Sequence, residues 1–153
     1  MLSIHAITAS TSGHTDYVVG ELVAYLKEKA PKVSVTRIRA ELAMPEDFAK
    51  GDVLLLGSGT WNTGGPEGQL NPHMRVLLHE RAKDIDLKGK KVAVVGLGDA
   101  RYRYTARAKN LLEEFVTTHG GKLLLLSLRI VNEPYGQEVL VRTWGETFLK
   151  ALS

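Results

Sequence analysis

Short apolar runs alternate with stretches of helical periodicity along the whole chain. The apolar runs predict five strands, at residues 4–8, 33–38, 52–56, 91–95 and 123–130. The third and fourth runs are almost unbroken Val and Leu, which is typical of parallel strands that are buried on both faces.

Four segments between and after these strands carry apolar residues at helical spacing. The first three stripes are Val19, Leu22, Val23 and Leu26; Met74, Leu77 and Leu78; and Ala108, Leu111, Leu112, Phe115 and Val116. Asn71-Pro72 offers an N-cap with Pro at the first helical position, and Gly120-Gly121 offers a C-terminal stop. The last helix is expected from about Tyr135 to Leu152, with a buried stripe of Val139, Leu140, Trp144 and Phe148. This alternation predicts an α/β fold with a parallel sheet, doubly wound in three layers because crossovers are right-handed.

Composition agrees with one globular domain over residues 1–153, since 44% hydrophobic and 24% charged residues exclude a disordered or coiled-coil chain. The absence of cysteine excludes disulfides and thiolate metal sites. No other metal site is expected, because Lys83 interrupts the HExxH pattern that begins at His79. No apolar run approaches the roughly 18 residues of a membrane span, and no secretory signal is recognised, so we expect a cytoplasmic protein.

Positive charge is concentrated between residues 88 and 109. That stretch has one acid, Asp99, and seven basic residues: Lys88, Lys90, Lys91, Arg101, Arg103, Arg107 and Lys109. A solvated face explains such a run, whereas nucleic-acid binding would use the tyrosines between the arginines as stacking partners.

Ligands of doubly wound sheets bind beyond the carboxyl ends of the strands. Loop 1, residues 10–15 after the first strand, has four hydroxyl groups and a Gly directly before a helix. Free N–H groups and the helix dipole at such a place favour phosphate, although a Ser/Thr-rich turn with an N-cap explains the same residues. The pattern GxxxxGK[S/T] is absent, which argues against an ATPase or GTPase.

Two further loops carry aromatic residues that are candidates for ligand contact. Loop 2, residues 57–68, is rich in Gly and contains Trp61, and loop 3, residues 96–104, contains Tyr102 and Tyr104. Neither completes the dinucleotide fingerprint GxGxxG, because Asn62 and Arg101 stand at the last Gly position. Together the three loops indicate one ligand, with a phosphate on loop 1 and a flat ring between aromatic side chains of loops 2 and 3.

These motifs, in this order and each after the appropriate strand, resemble the flavodoxin family. Loop 1 matches [S/T]-x-[S/T]-G-x-T, loop 2 begins like G-x-[S/T]-T-W with Gly59 where Ser is common, and loop 3 matches G-x-G-D-x-x-Y-x-Y. The likeness runs essentially end to end, and the short connection after Ile130 is similar to that of short-chain members. The resemblance implies a five-stranded sheet of order 2-1-3-4-5 and non-covalently bound FMN.

By resemblance, the protein is a low-potential one-electron carrier rather than an enzyme. It would be a monomer that meets a reductase and acceptor proteins transiently, without a nucleic-acid or membrane partner. The phosphate would lie on Thr11, Ser12 and Thr15, and the ring between Trp61 and Tyr102, with backbone near Leu97 at the ring edge. The full set of implied FMN contacts is Ser10, Thr11, Ser12, Gly13, His14 and Thr15 in loop 1; Gly59, Thr60, Trp61, Asn62 and Thr63 in loop 2; and Leu97, Gly98, Asp99, Tyr102 and Tyr104 in loop 3.

The chain departs from the familiar flavodoxin pattern in charge and in single positions. Asn62 stands where Gly is common, Thr63 where an acid is common, and the sequence pI is about 9.2 where relatives are usually acidic. A basic carrier is expected to associate with acidic partner surfaces. His14 stands where Asn is common; it contributes either an imidazolium or only its backbone N–H to the phosphate, and we favour the backbone.

Two other functions fit the same residues. One is an FMN-dependent quinone reductase or oxidase of this fold, which needs an open ring face and usually a nicotinamide site. The other is a flavin-free binding module that uses residues 88–109 as its partner surface. The short chain and Trp61 favour the electron carrier.

Overall fold

The computed structural model describes residues 2–61, 69–98 and 107–152. The elements, in chain order, are β1 (Ser3–Ala9), α1 (His14–Lys29), β2 (Ser34–Arg39), a 3-10 turn (Pro45–Ala49), β3 (Val53–Trp61), β4 (Gln69–Leu70), α2 (Pro72–Val76) with a π turn directly after it (Leu77–Arg81), β5 (Lys91–Gly98), α3 (Ala108–Thr118), β6 (Lys122–Leu123), β7 (Leu128–Val131) and α4 (Glu138–Leu152). None of the helices in this described part is long and apolar enough to cross a membrane.

The sheet has the predicted parallel, doubly wound arrangement. Its order is β2-β1-β3-β5, followed by β6 and β7, which both pair with β5 in parallel. The short β4 pairs with β3 in the antiparallel direction. Because β6 and β7 are two parts of the fifth main strand, the expected order of 2-1-3-4-5 is confirmed.

The prediction of one continuous fifth strand over residues 123–130 was wrong. Leu123 pairs with Val92 and Leu128 with Val95, so five steps along this strand lie opposite three steps along β5. The two surplus residues cannot stay in the ladder. The chain bends out of the sheet between Leu123 and Leu128. Leu126 is 90% exposed there, while its carbonyl accepts a 2.7 Å hydrogen bond from Trp144 Nε1.

Two apolar clusters fill the space on either side of the sheet, because strand side chains alternate between the faces. On β3, Leu54 and Leu56 face α2 and α3, whereas Val53 and Leu55 face α1 and α4. The stripe predicted for α1 is buried as expected. The predicted helix ends are also confirmed: Asn71 Oδ1 accepts from the His73 N–H at 2.9 Å, and Gly120 follows α3 with φ of +90°.

On α4, Trp144 and Phe148 are buried as predicted, but the helix begins at Glu138 instead of near Tyr135, and the other two members of the predicted stripe are exposed. Val139 and Leu140 are 71% and 46% exposed, whereas Val141 is 2% exposed. The buried stripe is Val141, Trp144, Gly145 and Phe148. Since consecutive helical residues are rotated by about 100°, Val139 lies on the far side of the helix from Val141.

Candidate functional site

The sheet register brings the carboxyl ends of β1, β3 and β5 together. Ala9 pairs with Ser58, and Gly59 pairs with Leu97. Neighbouring strands lie about 4.8 Å apart, so loops 1, 2 and 3 begin side by side at one edge of the sheet. The three loops that the sequence analysis singled out therefore start at a common site.

Loop 1 is held by its own side chains. Gly13, directly before α1, has φ of +89°, a conformation that favours Gly over residues with a Cβ. The Ser10 hydroxyl accepts the Gly13 N–H at 3.0 Å and lies 3.5 Å from the Asp16 nitrogen. The Ser10 side chain thus closes the turn.

The first turn of α1 presents unused hydrogen-bond donors beside this turn. The helical pattern starts with the Tyr17 N–H on the Gly13 carbonyl at 2.9 Å. In the described part of the chain, no group accepts from the backbone N–H of His14 or Thr15. Thr11, Ser12 and Gly13 are exposed next to them. Hydroxyls and N–H groups at the positive end of a helix dipole are a donor set that fits a phosphate group.

An aromatic cluster lies against the same turn. The ring of His14 meets Tyr135 edge-on at a centroid distance of 5.6 Å, and Tyr135 lies 4.8 Å from Tyr17. The Tyr17 hydroxyl donates to Glu138 at 2.7 Å. This hydrogen bond raises the pKa of Tyr17 to about 12 and lowers the pKa of Glu138. The ring of His14 thus packs edge-on against Tyr135.

Thr60, at the end of β3, contacts α3. Its hydroxyl accepts the Ala108 N–H at 2.9 Å. Beside it, Ser58 is fully buried, and its hydroxyl donates to the Gly59 carbonyl and accepts the Asn71 N–H at 3.1 Å. Asn71 Nδ2 is buried without a partner among the described residues. Hydroxyl groups near loop 2 therefore organise the protein itself.

The first Gly of loop 3 has a packing role. A Cβ at Gly96 would lie 2.5 Å from the Lys109 backbone nitrogen, so only Gly lets α3 pass this close to β5. Leu97 is buried in the core, which leaves only its backbone for contact with a ligand, as expected. Packing against α3 therefore explains the Gly at position 96, the first of the two glycines that resemble a dinucleotide fingerprint.

Several predicted contacts lie outside the described residues. These are the side chain of Trp61 and the residues Asn62, Thr63, Asp99, Tyr102 and Tyr104. Trp61 is nevertheless the last residue of β3, so its backbone stands at the same edge as loop 1.

The described basic residues of the stretch over residues 88–109 are spread along β5. Lys88 precedes β5, whereas the Lys109 backbone lies beside Gly96, near the carboxyl end of that strand. Lys90 donates to the carbonyls of Ala49 and Lys50, and Lys109 pairs with Glu113 at 3.1 Å. Arg101 and Arg103 lie outside the described residues, so the basic partner surface that nucleic-acid binding or a binding module would use stays a prediction.

His5 is an interior histidine with both ring nitrogens satisfied. Nδ1 lies 2.6 Å from the Thr36 hydroxyl, and Nε2 lies 3.0 Å from Asp47 Oδ1. Burial opposes the charge of Asp47, but the Met44 N–H, Lys50 and His5 together lower its pKa. This group lies near the amino end of β1, away from the three loops. Within the described residues, no cluster of His, Asp and Glu is suited to a metal ion.

Comparison with known proteins agrees with this geometry. The sequence model of the family described as Flavodoxin matches residues 7–144. The chain is 32% identical over 143 residues to "Probable flavodoxin 2" of Bacillus subtilis, covering 90% of this chain and 87% of that protein. It is 29% identical to the flavodoxin of Maridesulfovibrio salexigens, covering 91% of each. The crystal structure of oxidised Flavodoxin 2 from Bacillus cereus superimposes with a TM-score of 0.86 at 28% identity, over 97% of this chain and 98% of that one. With this sheet, these loops and a match over nearly the whole sequence, the chain belongs to the flavodoxin family of FMN-binding electron-transfer proteins.

Proposed function

We propose that this chain is a low-potential one-electron carrier that binds FMN non-covalently and passes electrons from a reductase to acceptor proteins. The observation that supports the proposal is the first turn of α1. Its unused N–H groups stand next to the ends of β3 and β5, from which the two aromatic loops begin. One site can therefore hold a phosphate and a ring at the same time.

The proposal assigns the phosphate to loop 1. Thr11 and Ser12 donate their exposed hydroxyls, and the backbone N–H groups of His14 and Thr15 complete the set. Ser10 holds the turn in the shape that keeps these donors pointing the same way. Donors that are fixed before binding lose little entropy when a phosphate binds. Because riboflavin has no phosphate to bind them, this loop favours FMN over riboflavin.

The proposal assigns the two faces of the ring to Trp61 and Tyr102, and its polar edge to the backbone at Leu97 and Gly98. Bound FMN supplies a ring that accepts and releases single electrons. The aromatic side chains exclude water from the ring. A negative charge on the ring is unfavourable in such surroundings, which lowers the reduction potential of the bound FMN. No side chain of the chain is required to convert a substrate.

We also propose that the protein is a cytoplasmic monomer that binds its partners transiently. The net charge of +3 and the pI of about 9.2 favour partners with acidic surfaces. Electron transfer from such a reductase should slow as salt is added, because screening shortens the range of the attraction. A rate that rises with salt would contradict the charge pairing.

The test of the function is titration of the apoprotein with FMN and with riboflavin. We expect stoichiometric uptake of FMN and weaker binding of riboflavin. Ser12→Ala should weaken FMN binding without changing riboflavin binding, and Ser127→Ala, whose hydroxyl donates to Glu113 away from loop 1, is the matched control. A protein that takes up no FMN would exclude the proposal.

A second assay separates the carrier from a flavin enzyme of the same fold. The FMN-loaded protein is mixed with NADPH and a quinone, with and without an added flavodoxin reductase. A carrier is reduced at an appreciable rate only when the reductase is present. Direct oxidation of NADPH would identify a quinone reductase instead.

A further inference from the structure

We propose that Thr60 is a positioning residue that ties loop 2 to loop 3 through the first turn of α3. The inference rests on the proposed FMN site and extends it. Thr60 belongs to loop 2 and is the penultimate residue of β3, while α3 is the helix that follows loop 3.

The first contact is a hydrogen bond between groups that are far apart in sequence. The Thr60 hydroxyl accepts the N–H of Ala108 at 2.9 Å, across 48 residues. Ala108 is the first residue of α3 and is fully buried. Its N–H belongs to the first turn of α3, and among the described residues the Thr60 hydroxyl is its acceptor.

The second contact fixes the same turn against the next strand. Lys109 backbone atoms pass so close to Gly96 that a Cβ there would be 2.5 Å from the nitrogen and 2.7 Å from Cα. Gly96 pairs with Ser58 in the sheet, two residues before Thr60. The start of α3 therefore rests on β3 and β5 together, at the edge where the proposed ring site lies.

These contacts hold the chain just after loop 3, at the start of α3. The other end is held at Gly98, which pairs with Val131 and whose carbonyl accepts the Asn132 N–H at 2.6 Å. The residues between the two anchors include Tyr102, which the proposed function assigns to one ring face. Loss of the Thr60 hydroxyl releases one of the two anchors, so we infer that it weakens FMN binding through Tyr102.

The test compares two variants of Thr60 with a matched threonine elsewhere on α3. Thr60→Val keeps the shape but removes the acceptor, and Thr60→Ser keeps the acceptor. Thr117→Val is the control, because the Thr117 hydroxyl donates only to the Glu113 and Glu114 carbonyls on the exposed side of α3. We expect Thr60→Val to raise the Kd for FMN about fivefold, the effect of one ordinary hydrogen bond, and the other two variants to stay within about twofold. Equal Kd values for Thr60→Val and Thr117→Val would overturn the inference.

A double-mutant cycle identifies the route of the effect. Each Kd is measured again in a Tyr102→Ala background. If Thr60 acts by placing loop 3, Thr60→Val has little further effect there, because the side chain that it positions is gone. An undiminished fivefold loss in that background would show that Thr60 contacts the flavin or supports the fold in general, and would contradict the inference.

A measurement on the unmodified protein covers the case in which Thr60→Val does not fold. Amide exchange of Ala108 is followed in the FMN-loaded protein. The hydrogen bond to Thr60 predicts slow exchange at Ala108, and fast exchange would overturn the inference. If the unmodified protein binds FMN but the Thr60 variants behave like the control, only this inference fails; if it binds no FMN, the proposed function fails first.

Discussion

Substitution of Gly96 by Ala should move α3 away from the sheet. The new Cβ would lie 2.5 Å from the nitrogen, 2.6 Å from Cβ and 2.7 Å from Cα of Lys109. These atoms belong to or adjoin the helix backbone, so no side-chain rotation relieves the clash. Restoring ordinary contact distances requires a shift of about 0.9 Å.

The magnitude follows from this shift. Overpacking of a well-packed site costs about 1–3 kcal/mol. The same shift stretches the 2.9 Å bond between Thr60 and Ala108 beyond hydrogen-bond range, which adds about 1 kcal/mol. For a chain of this length, a loss of about 2–4 kcal/mol lowers Tm by roughly 5–15 °C.

The assay is urea and thermal unfolding of the apoprotein, together with FMN titration. Gly20→Ala is the matched control, because a Cβ there meets only Arg37 Nη1 at 3.9 Å. Gly20 lies inside α1, where Ala is favoured by about 0.5–1 kcal/mol, so the control should be more stable than the unmodified protein. A Gly96→Ala variant as stable as the Gly20→Ala variant would refute the steric argument.

Three further predictions concern the rest of the molecule. The pKa of Asp47 is lowered in the folded protein, so the stability that it contributes is present above its ordinary value of 3.8 and is lost as the pH falls through the lowered value. The difference in unfolding free energy between the unmodified protein and Asp47→Asn should therefore shrink below about pH 4 in urea titrations; a difference that is constant with pH would exclude this. In the Glu138→Gln variant, the pKa of Tyr17 should fall from about 12 toward 10. Absorbance titration of the phenol measures this pKa, and an unchanged value would contradict the assigned cause. Val141→Ala should cost about 2 kcal/mol in urea unfolding and Val139→Ala almost nothing, because only the first is buried; equal losses would contradict the assigned face of α4.

Most of the fold could be predicted because the central strands are apolar on both faces. Val and Leu runs at β3 and β5 fix the parallel sheet, and helical spacing places α1 and α3 correctly. The fifth strand could not be predicted in detail, since its apolar run does not show that two residues are surplus to the pairing with β5. On α4, Trp144 and Phe148 were placed correctly, but Val139 and Leu140 were chosen in place of Val141, although Val141 has helical spacing to Trp144 and Phe148.

The site could be predicted by position but not by contact. Hydroxyls and glycines after β1, β3 and β5 indicate where a ligand lies, because parallel strands end at one edge. The sequence does not show that Ser10 bonds within its own loop or that Thr60 bonds to Ala108, since those partners depend on backbone geometry. Tyr135 was missed as a neighbour of His14 because more than a hundred residues separate them.

Among the described residues, the contacts that shape the site come from positions that match the family motifs. The turn of loop 1 depends on Ser10 and Gly13, and the seat of α3 depends on Thr60 and Gly96. All four stand at matching positions of the family motifs. Changes of charge near the ring can therefore alter the potential and the choice of partner while the framework that holds FMN stays the same, and this accounts for a basic protein on a scaffold whose relatives are usually acidic.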